Sequence, residues 1–557
     1  MRCTTLALAA TLATWCAMGA HHRPACRFAP DYTSEQIWSD EAVAKAFLDA
    51  HAAWEYDFVN GLGVDPLTQL TYDGHRLDFE TGEPLGLPHL FSAPSKESVH
   101  VGLLARYLAD QAAPEAAPRG NRSQAVFASV SAALATLGTK ADSIERFNAE
   151  FPGFGGFLPW FAFRNETVDG ANVTRVSPIS PGWDNRVPAL DNGEMFWSAF
   201  AVAHVLAEHH PTATTPSGRP LAAAWTTIWQ RMVNNSVTVF YAGNGSVRCV
   251  TRLSNQSAPV AANTYASDGG CTLDDPYEGE LFVDMMTLLV PDALLPAADK
   301  ALIWERKRGM LQAANLTVAD RGAIRNITVQ RGFWFSAHEQ WKYMLMPYRQ
   351  SAVNWRVFRN GEAARTWYAS VGGRVAGGAA ASHAEQPSPG MWASVTSPVT
   401  SNADNFDYFS ACGIAPVAFQ PVQHDDVVTP YSSFPLLLLD DQRAGAAWLH
   451  RMILARKGQN RFGTTESLNV TGRGVGSLTT WDSKGTTLLA SVGGISDLTA
   501  RYLGGAAVAR FLAQIDEAWT RVFPEAVLPG ADLSPQPPAA FVPEYLADYT
   551  TCDRASN

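Results

Sequence analysis

The strongest constraint in this chain is a run of residues that is apolar on every side of a helix. Residues 195–203 read Met-Phe-Trp-Ser-Ala-Phe-Ala-Val-Ala, with one hydroxyl in the whole run. A helix that is apolar all round has to be buried all round, because no face of it can be left to water. About half of the segments with helical periodicity are of this kind, whereas others, such as 297–312, keep a polar face.

Apolar periodicity is mostly helical along the chain. It predicts helices over 34–53, 98–113, 123–137, 191–209, 221–240, 277–289, 297–312, 335–346, 361–371, 440–456, 484–493 and 497–523. Short β-like pieces at 245–253 and 326–333 are excursions between helices. An alternation of buried and half-buried helices fits an inner circle of helices enclosed by an outer one. We therefore predict a mainly all-α fold, an (α/α)6 toroid or barrel with long loops and minor β excursions. A stacked helical solenoid is the competing architecture.

The N-terminus has the pattern of a secretory signal. Arg2 provides a positive start, 6–18 an apolar core, and Gly19-Ala20 small residues for cleavage. A signal anchor is the alternative, but the core is too short to span a bilayer and no later run reaches about 18 apolar residues. No Gly/Ser/Pro linker of useful length divides the rest. We predict a signal peptide over 1–20 and a single catalytic domain over 21–557, with no membrane partner.

Sequons and cysteines support a secreted glycoprotein, located outside the cell. Nine N-x-S/T sequons occur, at Asn121, Asn165, Asn172, Asn234, Asn244, Asn255, Asn315, Asn326 and Asn469. Five cysteines remain after the signal, and the compartment favours disulfides. Cys249 and Cys271 flank a sequon-bearing loop and are the best pair. Cys26 and Cys552 could join the termini, which leaves Cys412 over, although connectivity does not follow from sequence.

Charge and aromatic content narrow the class of ligand. The net charge of -11 is spread out with no basic stripe, so nucleic acid is not an expected partner. Charged residues make up 17%, and the chain has 17 Trp. Trp and Tyr offer flat surfaces with a polar edge, which suit the apolar faces of sugar rings. The alternative is a large core in which Trp is filler.

The densest acidic cluster lies ahead of the apolar run 281–290. Residues 274–280 read Asp-Asp-Pro-Tyr-Glu-Gly-Glu, four carboxylates in seven residues. Proline and acids are ordinary at a helix start, so capping is one reading. Four acids exceed what a cap requires, and a carboxyl in an aromatic-lined cleft has the raised pKa that a general acid needs. The hypothesis is a catalytic carboxyl at Glu278 or Glu280, beside Tyr277.

Three more polar clusters precede predicted buried helices. They contain the candidates Trp183, Arg186, Asp191 and Glu194; His338, Glu339 and Gln340; and Glu466, Trp481 and Asp482. Capping is an equal reading for Asp191 and a competing one for Asp482, and Glu194 has the capping-box spacing. His338-Glu339 suggests zinc, but Lys342 occupies the final position of H-E-x-x-H. We predict no metal and no cofactor.

Four segments then resemble a known family. They are 275–280 (Asp-Pro-Tyr-Glu-Gly-Glu), 338–342 (His-Glu-Gln-Trp-Lys), 357–365 (Val-Phe-Arg-Asn-Gly-Glu-Ala-Ala-Arg) and 480–484 (Thr-Trp-Asp-Ser-Lys). In identity, order and spacing they resemble the fungal-type endo-β-1,2-glucanases, over about 95–523. The resemblance implies an (α/α)6 barrel without a metal cofactor. It implies endo-hydrolysis of linear β-1,2-glucan to sophoro-oligosaccharides with inversion, the base acting through a water chain that includes a substrate hydroxyl.

The resemblance also implies roles for residues. The general acid falls within 277–280; Glu280 is favoured because it begins the apolar helix, and Glu278 stays open. The base is Asp482, with Glu466 in reserve. The expected substrate-binding residues are Trp183, Arg186, Asp191, Glu194, Tyr277, His338, Glu339, Gln340, Arg359, Glu466 and Trp481. The alternatives are a β-1,2-glucan transglycosylase, a hydrolase of another β-glucan, and a secreted glucan-binding protein without activity.

Overall fold

The computed structural model describes residues 27–86, 88–168, 171–273, 279–320, 323–333, 335, 337–370, 414, 417–419, 427–469, 474–524, 528–530, 533–538 and 546–551. The protein is mainly helical. Its α-helices are α1 Ser34–Ser39, α2 Glu41–Trp54, α3 Pro94–Ala112, α4 Val130–Glu150, α5 Ala189–His209, α6 Leu221–Phe240, α7 Glu280–Leu289, α8 Ala297–Met310, α9 Lys342–Leu345, α10 Ala352–Ser370, α11 Phe434–Leu437, α12 Arg443–Ile453, α13 Trp481–Ser491, α14 Ser496–Leu503 and α15 Gly505–Val522.

Burial divides these helices into two alternating sets. From α3 to α13, the odd-numbered helices α3, α5, α7, α9, α11 and α13 are buried over nearly their whole length. Helices α2, α4, α6 and α8 keep an exposed face. Helices α10 and α12 are covered further, because α10 packs on strand Ala323–Gln330 and α12 on α1. Apolar helices thus alternate with amphipathic ones, as the periodicity predicts.

The buried helices form a closed circuit. Helix α3 packs on both α5 and α13, and α5 packs on α7 and α9. Helix α11 packs on α13 and on the 3-10 turn Ala337–Gln340 that precedes α9. Helices α5 and α7 approach closely at Gly193, where a Cβ atom would lie only 2.6 Å from the backbone nitrogen of Phe282 in α7. The circuit confirms the helical barrel and excludes an open solenoid.

Short antiparallel sheets occur in the segments that connect the helices. The strands are β1 Gly74–Arg76, β2 Phe91–Ser92, β3 Phe161–Val168, β4 Ala171–Pro178, β5 Arg186–Pro188, β6 Tyr241–Gly243, β7 Ser246–Val247, β8 Val250–Leu253, β9 Tyr265–Ser267, β10 Ala313–Asp320, β11 Ala323–Gln330, β12 Val427–Val428, β13 Gln459–Asn460, β14 Gly463–Thr464, β15 Ser467–Asn469, β16 Val475–Gly476 and β17 Leu478–Thr480. Each sheet has two or three strands.

One small sheet positions the candidate site. Strand β1 pairs with β17, with Gly74 opposite Thr480. The next backbone hydrogen bond, from Trp481 N to Asp73 O at 3.0 Å, carries this pairing into the first residue of α13. A segment early in the chain is therefore held against a helix start more than 400 residues later.

The helix boundaries differ from the predicted ones where side chains or glycine interrupt the periodicity. The predicted helix 34–53 divides at Asp40, whose carboxylate caps α2 by accepting from Ala42 N and Val43 N. The predicted helix 497–523 divides at Gly504, which has a φ of 78°. The long hairpins β3–β4 and β10–β11 exceed the predicted β excursions. Among the described helices, none is long and apolar enough to cross a bilayer.

Candidate active site

Asp482 lies in the first turn of α13, where the helix dipole favours a carboxylate. The helix begins here because the Thr480 side chain accepts from Ser483 N as its N-cap. Asp482 is only 5% exposed. Its Oδ2 lies 2.9 Å from Lys96 Nζ, whereas its Oδ1 is buried without a hydrogen-bond partner in the described part of the chain. One oxygen is held and the other is left to accept.

Lys96 comes from the first turn of α3 and faces several acids. Its Nζ also lies 3.7 Å from Asp73 Oδ1, and Asp73 Oδ2 is 3.1 Å from His89 Nδ1. Burial by itself lowers the pKa of Lys96, but the charges of Asp482, Asp73 and Asp191 outweigh it and raise that pKa. The charged ammonium group of Lys96 therefore stabilises the carboxylates of Asp73 in the turn before β1, Asp191 at the start of α5 and Asp482 at the start of α13.

Two indole rings adjoin this cluster. The Trp160 Nε1 donates to Asp191 Oδ2 at 2.7 Å, and Lys96 Nζ lies 6.0 Å from the centre of the Trp160 ring. Trp183 stacks on Trp160, with ring centroids 4.9 Å apart and an interplanar angle of 18°. Both indoles are half-buried. They provide a flat apolar surface beside the carboxylates, which is the combination that a sugar ring needs.

Glu466 lies behind Asp482 and is 1% exposed. Thr480 Oγ1 donates to its Oε2 at 2.5 Å, so it supports the cap of α13. Burial, with smaller contributions from the charges of Asp482 and Asp73, raises the pKa of Glu466 to about 7. Its enclosure and its bond to Thr480 make it a support for the helix start.

Glu280, the first residue of α7, has different surroundings. It is 1% exposed, and its Oε2 accepts from Lys342 Nζ at 2.8 Å. Tyr348 hydrogen-bonds to it as well, and Tyr348 also donates to Asp284 Oδ2 at 2.9 Å. Burial raises the pKa of Glu280, although Lys342 opposes this. A general acid has to reach the glycosidic oxygen. Glu280 is enclosed by Lys342 and Tyr348, whereas Glu278, the other candidate for the acid, lies outside the described residues.

Several predicted binding residues are not part of the Asp482 cluster. Trp481 is fully buried, donates to Gly63 O at 2.6 Å and stacks on His100 at 4.6 Å, so it is a core residue and does not offer a face to sugar. Arg186 pairs with Asp268 at 3.2 Å. Arg359 is exposed on α10, a helix that packs on β10, β11 and α15.

Other predicted residues lie in the interior or outside the described part. Glu194, Glu339 and Gln340 are buried, and Glu339 accepts from Phe333 N at 2.5 Å. Tyr277 lies outside the described residues, as does the side chain of His338. Within the described ranges, no group of His, Cys, Asp and Glu could hold a metal ion.

The disulfide and the sequons can be located. Cys249 is bonded to Cys271, with Cα atoms 5.5 Å apart, which confirms the predicted pair. Seven sequon asparagines have exposed side chains: Asn165, Asn172, Asn234, Asn244, Asn255, Asn315 and Asn326. The side chains of Asn121 and Asn469 lie outside the described part, as do Cys26, Cys412 and Cys552.

Sequence reasoning did not select Lys96, Asp73, His89 or Trp160. The available signal was weak: Lys96 follows Pro94 at a helix start, and Trp160 lies in an aromatic-rich segment, 157–163. Neither pattern distinguishes a site residue from an ordinary first turn or a core filler. The acids were found because several of them cluster in sequence, whereas these four residues gather only through the β1–β17 pairing and the α3–α5–α13 packing.

Comparison with known proteins decides the class of enzyme. A family model described as endo-beta-1,2-glucanase SGL matches residues 70–553. The chain belongs to this family. It is a glycoside hydrolase, and its class of substrate is β-1,2-glucan. Among curated protein sequences, none matches the chain significantly.

Solved structures agree with this assignment. The endo-beta-1,2-glucanase from Talaromyces funiculosus, in complex with sophorose, is 34% identical with a TM-score of 0.81, covering 95% of this chain and 100% of that one. A glutamate-to-glutamine mutant of that enzyme, in complex with beta-1,2-glucan, is 35% identical with the same TM-score and coverage. The endo-beta-1,2-glucanase from Chitinophaga pinensis, with sophorotriose and glucose, is 11% identical with a TM-score of 0.56, covering 85% of this chain and 98% of that one, and shares the fold.

Proposed function

We propose that this glycoside hydrolase cleaves linear β-1,2-glucan within the chain, with inversion, and releases sophoro-oligosaccharides. The family and the sophorose- and glucan-bound relatives support the substrate. The observation that carries the mechanism is Asp482: one oxygen is held by Lys96 and the other is unpartnered, beside a stacked pair of indoles.

In this proposal Asp482 is the base. Inversion needs one carboxyl to protonate the leaving oxygen and another to activate water on the opposite face of the sugar. Asp482 Oδ1 accepts the proton from water, relayed through a substrate hydroxyl. Asp191 and Trp183 bind the sugar, because a carboxylate edge next to an indole face suits a pyranose.

Glu278 is the proposed acid. It lies two residues before Glu280, in the acidic stretch that precedes α7, while Glu280 itself is enclosed by Lys342 and Tyr348. The glucan complex of a glutamate-to-glutamine mutant in a 35% identical relative is consistent with a glutamate in this role.

The decisive experiment incubates the purified protein with β-1,2-, β-1,3-, β-1,4- and β-1,6-glucans and resolves the products over time. Only β-1,2-glucan should be cut, first to oligosaccharides of mixed length. Early products should be α-anomers, since one displacement inverts the β-linkage. Early β-anomers, or products longer than the substrate, would support a retaining or transglycosylating enzyme instead. Binding of β-1,2-glucan without any cleavage would support the inactive relative.

We further propose that the protein is secreted and N-glycosylated. The signal-like residues 1–20 and the seven exposed sequon asparagines support this. Expression in a eukaryotic secretory host should place the protein in the medium. Treatment with a glycosidase that removes N-glycans should increase its gel mobility, and unchanged mobility would contradict glycosylation.

A further inference from the structure

We infer that Lys96 is a positioning residue for the hydrolytic step: it holds Oδ2 of Asp482 so that Oδ1 alone receives the proton. This inference rests on the proposed role of Asp482. In the step, the C–O bond of the glycoside breaks and the water oxygen bonds to the anomeric carbon. The proton of the acid goes to the leaving oxygen, and the proton of water reaches Asp482 Oδ1.

The two oxygens of Asp482 are not equivalent. Oδ2 is 2.9 Å from Lys96 Nζ, a strong charge-assisted contact. Oδ1 is buried without a hydrogen-bond partner in the described chain, although such atoms are usually satisfied. Leaving a buried carboxylate oxygen unpaired costs free energy. A substrate hydroxyl or a water that binds to this oxygen would supply the missing hydrogen bond.

Lys96 is itself fixed in place. It is only 8% exposed, and α3 begins two residues before it at Pro94. The charged or titratable groups around Asp482 come from every neighbouring element: Lys96 from α3, Asp73 from the turn before β1, Asp191 from α5, and Glu466 from the turn before β15. Three of these four groups are acids. Among these four groups, Lys96 is the cation, and it contacts Asp482 directly.

A neighbouring ion pair offers a matched control. Glu97, the next residue of α3, pairs with Lys140 of α4 at 2.7 Å, and both side chains are completely buried. This pair has the same chemistry, but Lys140 belongs to the outer helix α4, and the other oxygen of Glu97 accepts from Thr71 Oγ1 at 2.8 Å. The isosteric change Glu97→Gln with Lys140→Met therefore disturbs a buried pair on the same helix turn without touching Asp482.

The test measures kcat and KM on β-1,2-glucan from acidic to alkaline pH for the wild type, Lys96→Gln, Lys96→Met and Lys96→Arg. Gln keeps a hydrogen-bond donor but no charge, and Arg keeps the charge. In Lys96→Gln and Lys96→Met, the acidic limb of the kcat/KM profile should move to higher pH by about one unit or more, the usual effect of a cation at this distance. The limb should return towards the wild-type position in Lys96→Arg.

The control variant and Asp482→Asn distinguish a failure of the inference about Lys96 from a failure of the proposed mechanism. The Glu97→Gln/Lys140→Met protein should keep the wild-type acidic limb even if its melting temperature falls. If Asp482→Asn is inactive but Lys96→Gln keeps the wild-type limb, the inference about Lys96 is overturned and the proposed function stands. A rise in KM alone in Lys96→Gln would also overturn it, since Lys96 would then only bind sugar. If Asp482→Asn is fully active, the proposed mechanism fails together with the inference.

Discussion

Two lysine–carboxylate pairs stand at the starts of inner helices and have nearly the same length. Asp482 is 2.9 Å from Lys96, and Glu280 is 2.8 Å from Lys342. The first pair adjoins half-buried indoles and leaves Oδ1 of Asp482 without a partner among the described residues. The second is enclosed: Lys342 is completely buried, and its Nζ lies 4.7 Å from the centre of the Trp519 ring.

The difference between the pairs lies in the partners of the carboxylate oxygens, and position in the sequence does not reveal it. Both acids occupy the first turn of a buried helix and satisfy the same rule for charges at helix starts. At Glu280, burial raises the pKa while Lys342 and Tyr348 occupy the carboxylate. Such a pair joins α7 to the segment around α9. At Asp482, Oδ1 has no partner among the described residues, and it is this oxygen that the proposed mechanism uses.

The largest expected effect comes from Asp482→Asn. The change keeps the shape of the side chain and removes the base, so kcat should fall roughly 10²–10⁴-fold, the usual scale for acid–base help. Binding of sophoro-oligosaccharides should largely survive, as measured by calorimetry. If Asp482→Asn had activity near that of the wild type, Asp482 would not be the base, and neither of the two lysine–carboxylate pairs would supply it.

Glu280→Gln should mainly reduce stability. It removes the carboxylate that Lys342 Nζ contacts at 2.8 Å, and breaking a buried pair costs about 3–5 kcal/mol. The free energy of unfolding in urea should fall by that order, while kcat at a permissive temperature stays within about tenfold. By contrast, Glu278→Gln should lower kcat, roughly 10²–10⁴-fold. Loss of activity in a well-folded Glu280→Gln, with an active Glu278→Gln, would return the acid role to Glu280.

Glu466→Gln should change how stability depends on pH. The pKa of Glu466 rises from 4.5 to about 7 on burial, so the folded state holds this proton more tightly than the unfolded state. Below about pH 4.5 both states are protonated and no penalty exists; between pH 4.5 and 7 unfolding becomes progressively easier. Relative to Glu466→Gln, the wild type should lose up to roughly 3 kcal/mol over this window and then level off. Parallel stability curves across pH 4.5 to 8 would contradict this.

The smallest expected effect is that of Trp183→Ala. It removes one of the two stacked indoles, so KM should rise about tenfold, equivalent to about 1.4 kcal/mol, with kcat little changed. Trp481→Phe is the interior counterpart, because its indole is buried and bonded to Gly63 O. That variant should lower the melting temperature and leave KM unchanged. A large KM effect from Trp481→Phe, with none from Trp183→Ala, would contradict this placement of the sugar surface.

Much of the fold follows from the sequence. The apolar run 195–203 predicts the buried helix α5, and 221–240 coincides with α6. Residues 34–53 and 497–523 were each expected to be one helix, because periodicity continues across Asp40 and Gly504 while local capping and backbone geometry end a helix there. The four-residue helix α11 escaped prediction, since so short a segment shows no periodicity.

By itself, the sequence determined the helical class and the carboxylates available for chemistry, because both depend on patterns within a few tens of residues; it favoured the pair Cys249 and Cys271, and the structure established the bond. The structure alone separated the acids. Asp482, Lys96 and Asp73 meet only through the β1–β17 pairing and the contacts of α3 with α13, and Glu280 is enclosed only because Lys342 and Tyr348 pack around it. Access to a side chain depends on contacts between residues distant in the chain, which no local pattern records.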